Sequence, residues 1–165
     1  MDTYLAVASR RDERRYADRP VSDAVADRIL DAGRLAGSAK NRQPWRFVVV
    51  ESPALADQLA EQVYAPGNVK GAALVIAVVG TGLDVGRAVQ NMVLTAWNEG
   101  LHSCPNGLRE REAAARLLGL GEDEELGIVL TFGYPVRSRD PEGRSTEEWS
   151  RRANRKSLDE LVTRL

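Results

Sequence analysis

Two hydrophobic patterns with different periods organise this chain. Residues 72–79 are apolar at every position, and a run without alternation is typical of a central β-strand covered on both faces. Downstream, apolar residues recur from Val85 to Trp97 at i, i+3, i+4, i+7, i+8, i+11 and i+12. That spacing predicts a long amphipathic helix, with Asp84 as its N-cap and Gly100 after its end.

The rest of the chain carries shorter patterns of both kinds. An apolar stripe runs through residues 23–36. Ser22 before it and Gly37 after it are typical helix start and stop signals. The predicted helices span residues 2–10, 23–36, 54–63, 109–118 and 157–165, and the further strands span residues 46–51, 101–104 and 127–134. Residues 64–68 are predicted to form a loop. Residues 135–152 have scattered charges and no period, so they are predicted to be irregular.

Composition narrows the classes of protein that remain. A length of 165 residues suits one domain over residues 1–165. With 23 basic and 24 acidic residues the net charge is −1, which argues against a nucleic-acid or anionic-membrane partner. One cysteine and one histidine argue against a cysteine-based metal cage and against a histidine-based zinc site. The chain shows no secretory signal and no apolar run near the roughly 20 residues of a membrane span, so we expect a cytoplasmic protein.

Two polar segments carry the candidate chemistry. Four arginines, Arg10, Arg11, Arg14 and Arg15, fall within residues 10–15. Residues 38–45, Ser-Ala-Lys-Asn-Arg-Gln-Pro-Trp, form an amide-rich turn just before a strand. Guanidinium forks grip phosphate, and amides can contact the edge of a heteroaromatic ring. Taken alone, the arginines are better explained as a solvated helix end favoured by the helix dipole; together with the amide-rich turn and Arg155, they favour a binding site.

Three motifs in order resemble those of the FMN-dependent nitroreductases. Residues 10–16 are similar to the family's Arg-Arg-Ser-x-Arg-x-aromatic start, and residues 38–45 to its Ser-x-x-Asn-x-Gln-Pro-Trp loop. Residues 154–161, Asn-Arg-Lys-Ser-Leu-Asp-Glu-Leu, are similar to its late arginine followed by Leu-x-Glu. The resemblance implies an α+β fold with a central mixed, mostly antiparallel sheet flanked by helices. It also implies an intertwined homodimer with FMN at the interface, and a short single-domain member of the family.

The resemblance also implies which residues meet the cofactor. Arg10, Arg11 and Arg155 match positions near the phosphate and ribityl end, and Arg14 matches one near the flavin pyrimidine. Ser38, Ala39 and Asn41 match the loop that the other subunit places against the flavin ring. Backbone N–H groups after residue 105 would face flavin N5 and O4. The full cofactor-binding set is Arg10, Arg11, Asp12, Arg14, Ser38, Ala39, Asn41, Asn106, Gly107 and Arg155.

The activity that the resemblance implies is a ping-pong oxidoreductase reaction. NAD(P)H would deliver hydride to flavin N5, and a flat electron-poor acceptor such as a nitroaromatic or a quinone would then take two electrons. No side chain is assigned as catalytic and no metal is required. Two residues depart from the family: Asp12 stands in place of Ser, and Gly37 in place of a frequent Pro. Asn68 is a candidate for a further family asparagine, but its spacing is off by a few residues, so it is left out.

Two other functions remain open at this stage. A flavin-storage protein would have the same pocket with a blocked ring face. A dinucleotide-binding reductase could use the glycines between Gly80 and Gly86, although their spacing departs from Gly-x-Gly-x-x-Gly. His102 and Cys104 share a strand face, but a buried thiol and an ordinary polar residue are favoured over a nucleophilic pair. Packing the tail from residue 135 onward across a partner would bury Trp149, Leu158 and Leu161.

Overall fold

The computed structural model describes residues 1–165. The chain divides into two compact units: Arg11–Ser138 forms one, and Met1–Arg10 together with Arg139–Leu165 forms the other. The expectation of one domain over the whole chain stays a prediction. None of the helices is long and apolar enough to cross a bilayer.

A four-stranded sheet lies at the centre of the larger unit. Its strands are β1 (Arg46–Val49), β2 (Leu74–Val79), β3 (His102–Asn106) and β4 (Leu126–Gly133), in the order β1-β2-β4-β3. Every adjacent pair is antiparallel. One parallel bridge, between Asp12 and Ser103, joins residues 11–16, the arginine segment, to the outer edge of β3. The α+β prediction with a mostly antiparallel sheet is therefore confirmed.

Eight α-helices accompany the sheet. They are α1 (Thr3–Ser9), α2 (Asp23–Arg34), α3 (Pro53–Ala60), α4 (Pro66–Lys70), α5 (Leu83–Asn98), α6 (Arg111–Leu117), α7 (Thr146–Arg152) and α8 (Leu158–Leu161). In the larger unit, α2 and α5 cover one sheet face, and α3, α4 and α6 cover the other. All six residues of β2 are buried, as its unbroken apolar run predicts. Trp97 on α5 is also buried, as its place in the apolar stripe of that helix predicts.

Several predicted boundaries are wrong. The helix α2 ends at Arg34, before residue 36, and Gly37 is not in the left-handed region. Gly82 takes the N-cap position of α5, and Asp84 lies inside the first turn. The short helix α4 was missed because its single turn is too brief to show a period, although Pro66 marks its start. β3 continues two residues beyond residue 104.

The smaller unit is more regular than the sequence pattern indicates. α1 packs on α7, and a capping box of Ser145 and Glu148 starts α7 within the segment predicted to be irregular. Trp149 is already buried in its own chain, where its Nε1 donates to the Pro141 carbonyl at 2.8 Å. A partner is thus not needed to bury this side chain. The last predicted helix is shorter than expected, because α8 ends at Leu161.

Two glycines inside helices provide a test of the packing between α2 and α5. A Cβ on Gly33 would lie 2.7 Å from Phe47 Cζ and 2.9 Å from Met92, whereas one on Gly86 would meet nothing within 4 Å. We expect Gly33→Ala to lower the free energy of unfolding by about 1 kcal/mol or more, because the close approach becomes overpacked. Gly86→Ala, its matched control, should raise it by roughly 0.5–1 kcal/mol through helix propensity.

Urea denaturation of both variants beside the unchanged protein measures the two effects. Equal stabilisation by both substitutions would contradict the close contact between α2 and α5 at Gly33.

Candidate cofactor site

The arginine segment is fixed to the edge of the sheet. Asp12 pairs with Ser103, and the Glu13 backbone N–H donates to the Ser103 carbonyl at 3.1 Å. Arg11 and Glu13 are half-buried, whereas Asp12 and Arg14 are exposed. This alternation is that of an extended segment, in which successive side chains point to opposite sides. Arg14 therefore shares its side of the segment with Asp12.

Tyr16 holds the far end of the same segment. It pairs with Pro135, and the N–H of Ala17 donates to the Tyr134 carbonyl at 2.7 Å. The Tyr16 hydroxyl lies 2.9 Å from Thr131 Oγ1. A Cβ on Gly133 would lie 2.7 Å from Tyr16, so this glycine makes room for the ring. Burial raises the pKa of Tyr16 far above its usual range, so its hydroxyl stays protonated.

The Asn106 side chain belongs to a buried polar network. Its Nδ2 lies within donating distance of the Cys104 carbonyl at 2.9 Å and of Thr131 Oγ1 at 3.1 Å. Its Oδ1 accepts from Asn68 Nδ2 at 2.8 Å. Since this amide is engaged inside the protein, the Asn106 side chain is not available to a cofactor. Gly107, the next residue, is exposed, and its carbonyl accepts from the backbone N–H of Tyr64 at 3.1 Å.

Asn68 is the polar residue that sequence spacing missed. It is buried on α4, a helix absent from the predicted elements, and this turn carries it against Asn106. The buried Cys104 thiol lies 3.9 Å from the same Asn68 amide nitrogen. The prediction of a buried thiol is confirmed. His102 is also buried, with its ring stacked on Trp97 at a centroid distance of 5.1 Å.

The loop at residues 38–43 is tightly wound. Ser38 Oγ accepts from the backbone N–H of Gln43 at 2.9 Å, and the N–H of Ala39 donates to Asp84 Oδ2 at 2.9 Å. Lys40, Asn41 and Gln43 have φ values of 54°, 53° and 51°. Left-handed backbone at three residues without glycine is uncommon and requires support from the surroundings. Asn41 is exposed at the loop surface.

The structure places these predicted residues at opposite ends of α5. The loop is bonded to Asp84 in the first turn of α5. The arginine segment is bonded to Ser103, just after Leu101, whose N–H donates to Ala96 in the last turns. From residue 84 to residue 96 the helix rises about 18 Å. Within one chain, therefore, the loop and the arginine segment do not converge on one point.

Two predicted arginines belong to the smaller unit. Arg10 caps the C-terminus of α1, and its N–H donates to the Ala6 carbonyl at 3.0 Å. Arg155 is exposed in the short connection between α7 and α8. Each arginine thus follows the end of a short helix, at a point where a long side chain can extend.

The donor groups present fit the chemistry of FMN. Guanidinium groups suit a phosphate, and the exposed Asn41 amide together with the Ser38 hydroxyl suits the polar edge of a flavin ring. The dinucleotide-binding alternative is wrong, because all adjacent strands are antiparallel and the glycine turn is already occupied. A Cβ on Gly80 would overlap the Pro44 carbonyl of the loop.

Comparisons with known proteins agree with this fold. The model of the Nitroreductase family matches residues 7–82 and 79–134. A candidate NADH dehydrogenase/NAD(P)H nitroreductase of Archaeoglobus fulgidus is 31% identical over 149 residues, which cover 81% of this chain and 86% of that protein. A crystal structure described in the same terms, from Bacteroides thetaiotaomicron, has a TM-score of 0.83 and 25% identity over 99% of this chain and 98% of that one.

A third similar protein adds a cofactor to its name. It is an FMN-dependent nitroreductase of Clostridium difficile, which shares the fold with a TM-score of 0.75 and 21% identity over 90% of this chain and 96% of that one. The family model alone covers well over half of the residues. The chain therefore belongs to the nitroreductase family of oxidoreductases.

Proposed function

We propose that this protein binds FMN and transfers electrons from NAD(P)H to a flat, electron-poor acceptor such as a nitroaromatic or a quinone. Family membership supports the oxidoreductase class. The FMN-dependent relative of the same fold supports the cofactor. When bound, FMN would accept hydride from the nicotinamide and return two electrons to the acceptor. The chain itself has to bind the cofactor, orient it and stabilise its charge.

One observation carries the proposal that the site is built by two chains. The loop and the arginine segment are both assigned to the flavin, yet they lie at opposite ends of α5. A second copy of the chain, related by a two-fold axis, can bring its loop to the first copy's arginine segment. Leu158 and Leu161 are 75% and 64% exposed, which leaves apolar surface for such a partner. We infer an obligate homodimer.

The residues then have distinct roles. Arg10, Arg11 and Arg155 would hold the phosphate end. Arg14 would stabilise the negative charge that grows on the flavin pyrimidine when the ring is reduced. The backbone of Asn106 and Gly107 would face the central ring edge. The partner's loop would cover the ring with Ser38 and Asn41. The N–H of Ala39 is bonded to Asp84, so this residue would contribute its methyl group.

The activity is tested with the purified protein and its bound chromophore. We expect the visible absorption of a flavin, released by denaturation as FMN, and rapid bleaching of that absorption by NADH or NADPH without oxygen. Addition of a quinone or a nitroarene should restore the colour. A bound flavin that NAD(P)H leaves oxidised would indicate a flavin-storage protein and contradict the enzymatic proposal.

The phosphate contact of Arg155 is tested by comparing FMN with riboflavin. We expect Arg155→Ala to weaken FMN by about 1.5–3 kcal/mol, because a charge-assisted contact to phosphate is lost. Riboflavin lacks the phosphate, so its affinity should hardly change. Fluorescence titration of the apoprotein measures both dissociation constants.

Arg116→Ala is the matched control, since Arg116 lies exposed on α6 with its Nη1 3.9 Å from Glu112. This variant should bind both flavins like the unchanged protein. Equal losses for FMN and riboflavin in Arg155→Ala would show that Arg155 does not hold the phosphate.

The two-chain site is tested by subunit complementation. One variant carries Arg11→Ala and Arg14→Ala; the other carries Asn41→Arg, which places a long side chain where the loop amide lies. Neither homodimer should bind FMN well. Refolded together, the two chains should recover about a quarter of the sites, because half of the dimers are mixed and one of their two sites is intact.

Light scattering on the same samples gives the mass of the flavin-bound species. No recovery on mixing, or a flavin-bound monomer at micromolar concentration, would overturn the shared site.

A further inference from the structure

The segment from Gly80 to Arg87 contacts the loop at residues 38–43 and its flanking residues, Gly37 and Pro44, at three separate points. We propose that Asp84 is a positioning residue, which holds this loop in the shape that contacts the flavin, and that Gly80 and Arg87 complete the support. The inference rests on the proposed function, because that function assigns the loop to FMN. The glycine-rich turn between Gly80 and Gly86, which does not bind a dinucleotide, would then serve to support the loop.

The first support is the bond from the loop backbone to Asp84. The N–H of Ala39 donates to Asp84 Oδ2 at 2.9 Å. The Asp84 side chain is only 21% exposed. It does not cap its own helix, since Gly82 holds that position. The carboxylate is therefore directed at the loop, and its negative charge also suits the N-terminal turn of α5.

The second support is the contact of Arg87 with Gly37. Arg87 Nη1 lies 3.5 Å from Asp84 Oδ1, so the guanidinium and the carboxylate hold each other. A Cβ on Gly37 would lie 2.7 Å from Arg87 Nη2. The absence of a side chain at residue 37 thus makes room for the guanidinium.

The third support is the approach of Pro44 to Gly80. Gly80 has φ +105°, and a Cβ there would overlap the Pro44 carbonyl. Both the backbone conformation and the lack of space require glycine. The turn from β2 into α5 is thereby packed against the end of the loop.

The loop needs these supports because its own backbone is unfavourable. Lys40, Asn41 and Gln43 are all left-handed, and without external contacts such a loop would relax into other conformations. A loop held in advance binds without the loss of entropy that ordering would require. Loss of the Asp84 contact should therefore weaken the cofactor through loop mobility, while the sheet and its core stay intact.

Trypsin provides a readout that does not depend on flavin, because Lys40 and Arg42 are both exposed cleavage sites inside the loop. In the apoprotein, we expect Asp84→Ala to increase the rate of cleavage at these two sites about tenfold, in line with loss of a charge-assisted hydrogen bond. The FMN dissociation constant should rise by a similar factor of about ten. Asp84→Asn keeps a neutral carbonyl acceptor for Ala39 and should recover part of both losses.

Asp23→Ala is the matched control. Asp23 lies in the first turn of α2, as Asp84 does in α5, so its removal takes away the same favourable charge from a helix start. It should change neither cleavage at Lys40 and Arg42 nor FMN affinity. Gly37→Ala displaces Arg87 from the other side, and it should increase cleavage in the same direction. Thermal melting of each apoprotein verifies that the variants are folded.

The outcomes separate this inference from the proposed function. Unchanged cleavage and unchanged FMN affinity in Asp84→Ala would overturn the positioning role and leave the flavin enzyme intact. Faster cleavage with unchanged affinity would overturn it too, because the loop would then not contact the flavin. If the unchanged protein bound no FMN, the proposed function would fall, and cleavage would still report the contact of Asp84 with the loop.

Discussion

Burial of β2 on both faces is the constraint from which the rest of the larger unit follows. A strand with no exposed side chain needs a neighbour on each edge and a helical layer on each face. β1 and β4 supply the edges, α2 and α5 one layer, and α3, α4 and α6 the other. Because α5 leaves β2 through the short turn at Gly80, its first and last turns fall at opposite ends of the sheet. Everything bonded to those turns is separated accordingly.

This separation keeps the loop and the arginine segment of one chain apart. The loop is tied to the start of α5 and the arginine segment to β3 near its end, and both are bonded through the backbone. Neither can move to the other without loss of sheet or helix-end hydrogen bonds. If both serve one flavin, the missing half must come from a second chain.

A buried polar network gives the arginine segment its fixed place. The Thr131 hydroxyl lies within hydrogen-bond distance of both Tyr16 and Asn106. Asn68, on α4, donates to Asn106. Buried polar groups are costly unless they are satisfied, so each member restricts the positions of the others. The network therefore links the segment, β3, β4 and α4, and it reserves the Asn106 amide for the interior.

The resemblance to a known family, and no local pattern, implied the antiparallel α+β class. Local pattern in the sequence determined β2, α5 and the buried Trp97, because long unbroken periods override local ambiguity. Together with the resemblance, it also singled out the arginines and the amide-rich loop. Only the tertiary structure decided what depends on distant partners. It gave Asp84 to Ala39 instead of to its own helix, brought Asn68 to Asn106 through a helix one turn long, and buried Trp149 in its own chain. It also set the loop and the arginines apart, since strand order, which no local pattern encodes, fixes which ends of the elements meet.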